Sequence, residues 1–462
     1  MASSKKPHQQ NSAFLKHQAI SSSDLSAHPL SVQLNQFLTH QLQTRRSKPN
    51  LLLALSGGLD SMVLLHLLAA ASAKLPFQLH AMHVHHGLSP NADSWAEFCQ
   101  LQCQQLNVPL QVVHVQLNIN NGLGVEAEAR ALRYQALFAA QNIDFVMTAH
   151  HQDDQAETLL LQLFRGAGVK GLASMAAVDT GRNLLRPLLN VPRQTLQDYA
   201  VQHEITWCED ESNDNTQYDR NFVRHALMPV LEARFEGVKT VLARTASHMA
   251  EANDLLETLA AQDAEAVLED NTLCLEGLAK LSLPRIKNLL RWWFAQNGLS
   301  MPAADYLNEI AAQLLNAKKD ADLNLVMQHL ILRKYQQRAY LCEDKPAAAF
   351  DLVWDGEPFL DLPSGGRLVF NQVLGKGLSL KLGMTKLRIT NRDGGERFKP
   401  NPLRPTRTLK YLLQEINMPP WKRQYLPLIY WEDKLACVPG IGIAYGLEAS
   451  GDEAGLEIIW QE

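Results

Sequence analysis

The sequence predicts an α/β fold: a doubly wound parallel sheet, followed by a mainly helical domain and a small α+β C-terminal domain. Three observations carry that prediction. Short continuous apolar runs alternate with helix-period segments over the first third of the chain. From about Arg224 to Ala317 the helical period continues without convincing strands. Beyond Leu330, short apolar runs are separated by Gly, Pro and Asp, the texture of small β elements.

Taken in order, residues 1–30 are rich in Ser, His and Gln and read as a flexible tail. Order is expected to begin near Leu34, where Leu34, Phe37 and Leu38 recur at helical spacing. Leu51–Leu55 is apolar throughout, as a strand covered on both faces must be. Ser61–Ala73 then reads as a helix, Leu79–Val84 as a strand, Trp95–Leu106 as a helix and Leu110–Val115 as a third strand. Val125–Ala140 is the next helix, Phe145–Ala149 a fourth strand, and a further helix runs to Arg165. Strict alternation implies right-handed crossovers and a parallel sheet with helices on both faces. Leu256, Leu259, Ala260, Ala264 and Val267 carry the helical period of the middle region. Near the end, Leu387–Thr390 and Leu435–Val438 read as strands and Leu409–Glu415 as a helix. The resulting divisions are a tail at 1–30, a first domain at 34–223, a mainly helical domain at 224–345 and an α+β domain at 350–462.

Composition narrows the class. With 462 residues, 46% hydrophobic and 20% charged, the chain is long and apolar enough for several packed cores. No run approaches the roughly 18 apolar residues of a membrane span, and no apolar stretch follows Lys5 and Lys6, so neither a membrane nor a secretory role is expected. Six cysteines without a CxxC pair read as reduced thiols of a cytoplasmic protein. The net charge of −5 is unevenly spread. Lys386 to Arg423 holds ten Lys and Arg against three acids, while Glu251 to Glu276 holds eight acids and no Lys or Arg. A local excess of seven positive charges is a plausible footprint for a polyanion.

The first strand is followed by Ser56-Gly57-Gly58-Leu59-Asp60-Ser61 and then a helix. Glycines let a phosphate approach the backbone, successive N–H groups point at it, and the helix dipole favours its charge. Ser56 and Ser61 add hydroxyls, and Asp60 is suited to holding Mg²⁺ on a polyphosphate. No Walker A pattern occurs. The plain alternative is a glycine turn with a capping serine. Asp153 and Glu157 fall at i and i+4 on the helix after the fourth strand, either as a working carboxylate pair or as charges favouring a helix N-terminus. His150 and His151, just before Asp153 and Asp154, leave a metal-dependent phosphoesterase open as a third possibility. Gly166–Gly171 matches G-x-G-x-x-G but follows a helix, so its dinucleotide context fails.

SGGLDS at this position resembles the pyrophosphate loop of N-type ATP pyrophosphatases, the PP-loop superfamily. Further stretches are similar to one of its families, the tRNA(Ile)-lysidine synthetases. They are His83-Val84-His85-His86-Gly87-Leu88, Glu126 to Arg130 with Arg133-Tyr134, Thr148 to Thr158 with Arg165-Gly166, and Glu209 to Asn213 with Arg220, Asn221 and Arg224. The likeness runs from about Asn50 to Val230, with an echo in Arg392 to Phe398 and Pro419-Pro420-Trp421. It implies a Rossmann-like catalytic domain and an ATP-dependent ligase that joins L-lysine to C2 of the wobble cytidine in an isoleucine tRNA with a CAU anticodon. The implied route is an adenylated cytidine, and the products are lysidine, AMP and pyrophosphate. Codon reading changes from AUG to AUA. The implied ATP site is Ser56, Gly57, Gly58, Leu59, Asp60, Ser61, His85 and Arg130, with Mg²⁺ at Asp60. Catalysis would rest on Asp60, Asp153 and Glu157. Lysine would be bound among Asp153, Asp154 and Glu157, and tRNA phosphates at Arg392, Arg397, Arg404 and Arg407. A substrate lysine has a reference pKa of about 10.4, so it arrives protonated and must be held as a cation and then deprotonated. A small-molecule amidating synthetase and a non-catalytic nucleotide-sensing module stay open, and the oligomeric state is not chosen, a homodimer being one option.

Overall fold

The computed structural model describes residues 28–43, 48–117, 125–316, 323–343, 349–383, 386–403 and 405–461. Contacts divide the chain into two compact units, 1–257 and 258–462.

In the first unit the elements run α1 (Pro29–Leu42), β1 (Asn50–Ala54), α2 (Leu59–Ser72), β2 (Gln78–His85), α3 (Ala92–Gln105), β3 (Leu110–His114), α4 (Val125–Phe138), β4 (Phe145–Met147) and α5 (Gln152–Phe164). After them come α6 (Val169–Leu172), β5 (Val178–Asp179), β6 (Leu184–Leu185), α7 (Arg193–Gln202), α8 (Asp219–Phe222), a π-turn (Val223–Leu227), α9 (Met228–Arg234) and the long α10 (Val238–Val267), within which the division between units falls. The sheet order is β3-β2-β1-β4-β6-β5, parallel except for β5. Two-residue strands such as β5 and β6 carry no periodicity, which is why four strands are readable in the sequence and six form. Helix α1 begins at Pro29, earlier than the apolar spacing indicates; residues 1–27 of the expected tail lie outside the described residues.

Alternation along β1 splits the core. Leu51, Leu53 and Leu55 face α1, α2, α3 and α7, where they meet Leu34, Leu64, Cys99, Cys103 and Tyr199. Leu52 faces the other way, with Met82, Val146 and Leu184, onto Leu137 of α4. The sheet is thus covered on both faces, as its continuous apolar strands require. Because β2 and β4 flank β1 on opposite sides, the chain reverses direction of travel across the sheet there, and ligand sites form at the carboxyl ends of strands at such a point.

The second unit opens with a hairpin, β7 (Leu268–Glu269) and β8 (Thr272–Cys274), inside the stretch expected to be free of strands. Its two-residue turn, Asp270-Asn271, has φ of 49° and 56°, and turns with both central residues at positive φ match the twist of paired strands. The hairpin joins β9 (Asn324–Met327), β10 (Leu330–Tyr335) and β11 (Arg338–Glu343) in the order β7-β8-β11-β10-β9. The short helix α11 (Leu275–Leu278) follows β8, and this sheet packs on α12 (Leu283–Gln296) and α13 (Ala304–Asn316) around Trp293, Phe294 and Leu332. The C-terminal region holds two antiparallel sheets of five and four strands, a two-stranded ribbon of Arg397–Phe398 with Arg407–Thr408, and helices Leu409–Glu415 (α14) and Pro420–Arg423 (α15). Among the described residues no helix is long and apolar enough to cross a membrane.

Candidate active site

The loop after β1 is fixed from behind and open in front. The Leu55 N–H donates to Met82 O at 2.9 Å, and Leu55 O accepts from His83 Nδ1 at 2.9 Å, which places the ring proton on Nδ1. Gly57 has φ +87°, and a Cβ there would lie 3.1 Å from Cys99 Sγ, so both conformation and space call for glycine. Its carbonyl accepts the Cys208 N–H at 2.9 Å. Ser61 Oγ donates to Gly58 O at 3.0 Å and lies 3.1 Å from Ser56 Oγ. The Gly58 N–H has only a 3.4 Å contact to Ser56 Oγ. For the backbone N–H groups of Ser56, Gly57, Leu59, Asp60 and Ser61 no acceptor is found among the described residues. A row of unspent donors at the N-terminus of a 14-residue helix is an anion cradle.

The pairing of β1 with β4, Leu53 opposite Met147, brings the loop after β4 beside this cradle. His151, 2% exposed, lies between two carboxylates, with Nε2 3.5 Å from Asp60 Oδ2 and 3.4 Å from Asp154 Oδ2. Burial alone would lower its pKa, but the facing carboxylates outweigh it and the net direction is up. Asp60 Oδ1 is buried without a hydrogen-bond partner among the described residues, and Arg193 Nε lies 3.7 Å from it. That orphaned oxygen beside the cradle suits Mg²⁺, which is commonly bound by one or two carboxylates together with substrate phosphates. No group of three His, Cys, Asp or Glu among the described residues is placed to share an ion. His150 belongs to no such set. Its Nδ1 is 2.8 Å from Thr148 Oγ1, and burial pushes its pKa down to about 3.

Beyond His151, four charges interlock. Asp154 Oδ1 accepts from Arg220 at 2.7 Å and Arg224 at 3.3 Å. Glu157 accepts Arg220 Nε at 2.9 Å on Oε2 and Arg224 Nε at 2.7 Å on Oε1. Burial opposes the charge on Asp154, yet His151 and Arg220 hold its pKa well below the usual range. The π-turn carrying Arg224 has a local cause: Pro229 lacks the N–H owed to the carbonyl of His225 and crowds it, and the widened turn absorbs the conflict.

The structure therefore gives Asp153 and Glu157, which share a helix face by spacing, different cationic partners. Asp153 accepts the Arg193 N–H at 3.1 Å and pairs with Lys239 Nζ at 2.9 Å, which also reaches Glu232 at 3.0 Å. Ser56 to Ser61, Asp153, Asp154 and Glu157 gather around the ends of β1 and β4. His85 and Arg130 do not join them directly. His85 pairs with Asp93 at 3.0 Å and stacks near His114, and Arg130 is exposed over the ring of Tyr134 at 5.1 Å. Sequence reasoning misses Arg193, places Arg220 and Arg224 only in a stretch resembling the family, and reads His151 only as a possible metal ligand. What it does not show is that the i, i+4 pair of arginines meets Asp154 and Glu157.

In the second unit the basic segment is less free than its composition indicates. Arg392 pairs with Glu396 at 3.1 Å, Arg388 with Asp351 at 2.8 Å and Lys386 with Asp355 at 3.5 Å. Arg397, Lys399, Arg407 and Lys410 have no carboxylate partner among the described residues. Arg404 lies outside the described residues. Lys399 sits over Tyr445 at 5.1 Å and Arg407 over Tyr411 at 5.0 Å, both rings exposed.

Three family models match the chain: a PP-loop domain over residues 27–231, a TilS substrate binding domain over 273–340 and a TilS substrate C-terminal domain over 387–460. A tRNA(Ile)-lysidine synthase of Nitrosomonas europaea is 42% identical over 431 residues, covering 91% of this chain and 94% of that one. Proteins of the same name from Coxiella burnetii and Serratia proteamaculans are each 38% identical, covering 90% and 93% of this chain and 94% and 99% of theirs.

Proposed function

Since the chain belongs to the tRNA(Ile)-lysidine synthase family, we propose that it ligates L-lysine to C2 of the wobble cytidine in an isoleucine tRNA with a CAU anticodon. The observation that carries this reading is the row of unspent amides at Ser56, Gly57, Leu59, Asp60 and Ser61, with His151 Nε2 3.5 Å from the Asp60 carboxylate. The amides hold the β- and γ-phosphates of ATP; Asp60 would hold Mg²⁺, which would supply positive charge against the phosphates. The C2 carbonyl oxygen of the cytidine attacks the α-phosphorus and pyrophosphate leaves. The lysine ε-amine, once deprotonated, attacks C2 and AMP departs.

The carboxylates divide the remaining work. Asp154 and Glu157 are neutralised by Arg220 and Arg224, which rigidify the wall of the site and offer guanidinium edges to phosphate. Asp153, unlike Asp154 and Glu157, pairs with a lysine ammonium, that of Lys239. It is our candidate for receiving the substrate amine, with Glu157 contributing through the arginines. His85 and Arg130 belong to the rim, where base and ribose of the nucleotide extend. Residues 34–223 form the catalytic domain, 224–345 the mainly helical one and 350–462 the tRNA-binding one, and the enzyme works in the cytoplasm. In the tRNA-binding domain the exposed Arg397, Arg407 and Lys410 and the half-buried Lys399 contact phosphates, while Tyr411 and Tyr445 offer faces to unpaired bases. The target cytidine leaves its stack most cheaply in a single-stranded anticodon loop.

The test mixes purified protein, ATP, labelled lysine and an isoleucine tRNA transcript with a CAU anticodon. Label is expected at one internal cytidine, with AMP and pyrophosphate released in equal amounts. Pyrophosphate release that ignores tRNA would instead indicate a small-molecule amidating enzyme.

A further inference from the structure

We propose that Asn417–Arg423 is a latch that locks the substrate-binding domain of residues 273–340 to the C-terminal domain of 387–460, and so orients the exposed cations of the latter toward tRNA. The inference rests on the tRNA reading above for its consequence, and on contacts within the second unit for its geometry.

The latch closes on the tip of the β10–β11 hairpin. The Trp421 ring meets Tyr340 edge-on at 5.3 Å and Tyr335 edge-on at 6.1 Å, with the Arg333 guanidinium 5.3 Å from its centre. Arg423, 8% exposed, donates from Nε to Met418 O and from Nη2 to Tyr335 Oη, both at 2.8 Å. Gln336, at the hairpin turn, donates to Asn417 Oδ1 at 2.7 Å. Pro419 and Pro420 pre-set the backbone that enters the short helix α15, so little conformational freedom is lost on closing.

Two features distinguish this cluster from an RNA-contacting surface. The guanidinium of Arg423 is spent on a carbonyl and a phenol, and Trp421 Nε1 is buried without a partner among the described residues, as happens when a ring is placed for packing. Trp, Tyr and Arg at the centre of a contact are the residues that dominate binding energy between folded bodies. Trp421 and Arg423 are therefore positioning residues. They act on tRNA through the surface that carries Arg397, Lys399, Arg407 and Lys410.

The experiment is a double-mutant cycle in the full chain with Tyr335→Phe and Arg423→Met, read in tRNA affinity and in the unfolding temperature of the second unit. Trp421→Phe and Trp421→Ala serve as the graded pair. Each single change is expected to weaken tRNA binding about 3- to 10-fold, with the double no weaker than the worse single, because both break one contact. The ATP KM should stay unchanged, and Trp421→Phe should retain most of the affinity that Trp421→Ala loses. Multiplicative losses, as from two independent RNA contacts, would overturn the latch, as would unaltered tRNA affinity in all variants. If the parent chain itself fails to bind the tRNA, the functional reading falls, while coupling in the unfolding temperature still tests the latch contact.

Discussion

At the scale of single residues, the site depends on a few groups whose surroundings decide their state. Asp60 faces the cradle with an unpartnered oxygen, so Asp60→Ala is expected to lower lysidine formation about 10²- to 10³-fold while tRNA affinity stays within a few-fold. Strong residual turnover would remove Asp60 from the chemistry. His151 lies between the carboxylates of Asp60 and Asp154, which raise its pKa against the effect of burial. A group with a raised folded pKa stabilises fully below its unfolded value, about 6.5 for histidine, and loses that contribution as pH rises through the folded one. The gap in unfolding temperature between the parent and His151→Gln should thus be widest below about pH 6.5 and narrow as pH rises above it. His66, His86 and His150, all pushed down by burial, give an opposite slope, but it is common to both chains and cancels in the difference. A gap that widens with pH would mean that His151 is neutral in the folded chain.

At the scale of elements, the helix after β4 and the α8 π-turn segment are joined by the four-charge cluster. Glu157 is 2% exposed and holds two arginines, so Glu157→Ala leaves both guanidiniums sharing Asp154 as their one carboxylate in the cluster. Removing one partner of a buried pair costs about 3–5 kcal/mol. In a domain this size that lowers the unfolding temperature of the first unit by about 10 °C. A fall of only a degree or two, seen by calorimetry, would show that the arginines find water instead. This cluster also marks the limit of what the sequence makes legible. The helix from Gln152 and the glycine loop are legible, because apolar period and turn chemistry are local. That Asp154 and Glu157 meet Arg220 and Arg224 is not, since the partners lie more than sixty residues apart and only the closed fold joins them. Hairpin β7–β8 escapes a sequence reading for a different reason: strands of two and three residues leave no period, and its only signal is Asp270-Asn271.

At the scale of the whole chain, acidic and basic segments are separated, and folding trims the basic one. The excess of seven between Lys386 and Arg423 counts Lys386, Arg388, Arg392 and Arg423, which spend their charge or their donors on protein partners. Composition registers charges but not the strands that pair them. Reversing Arg397 and Arg407 together should therefore weaken tRNA binding and flatten its dependence on salt, by about one unit of slope for each phosphate left without its cation. Arg392→Met should leave that slope alone and lower stability instead. Equal slopes for all three positions would place the phosphate surface elsewhere. The most direct measurement is a structure of the chain with Mg²⁺ and a non-hydrolysable ATP analogue. We expect the β- and γ-phosphates within hydrogen-bond distance of the amides of residues 56–61, with the α-phosphorus accessible and Asp60 on the ion. A nucleotide bound away from that turn, or the same amides taken by protein acceptors, would contradict the proposed chemistry at its origin.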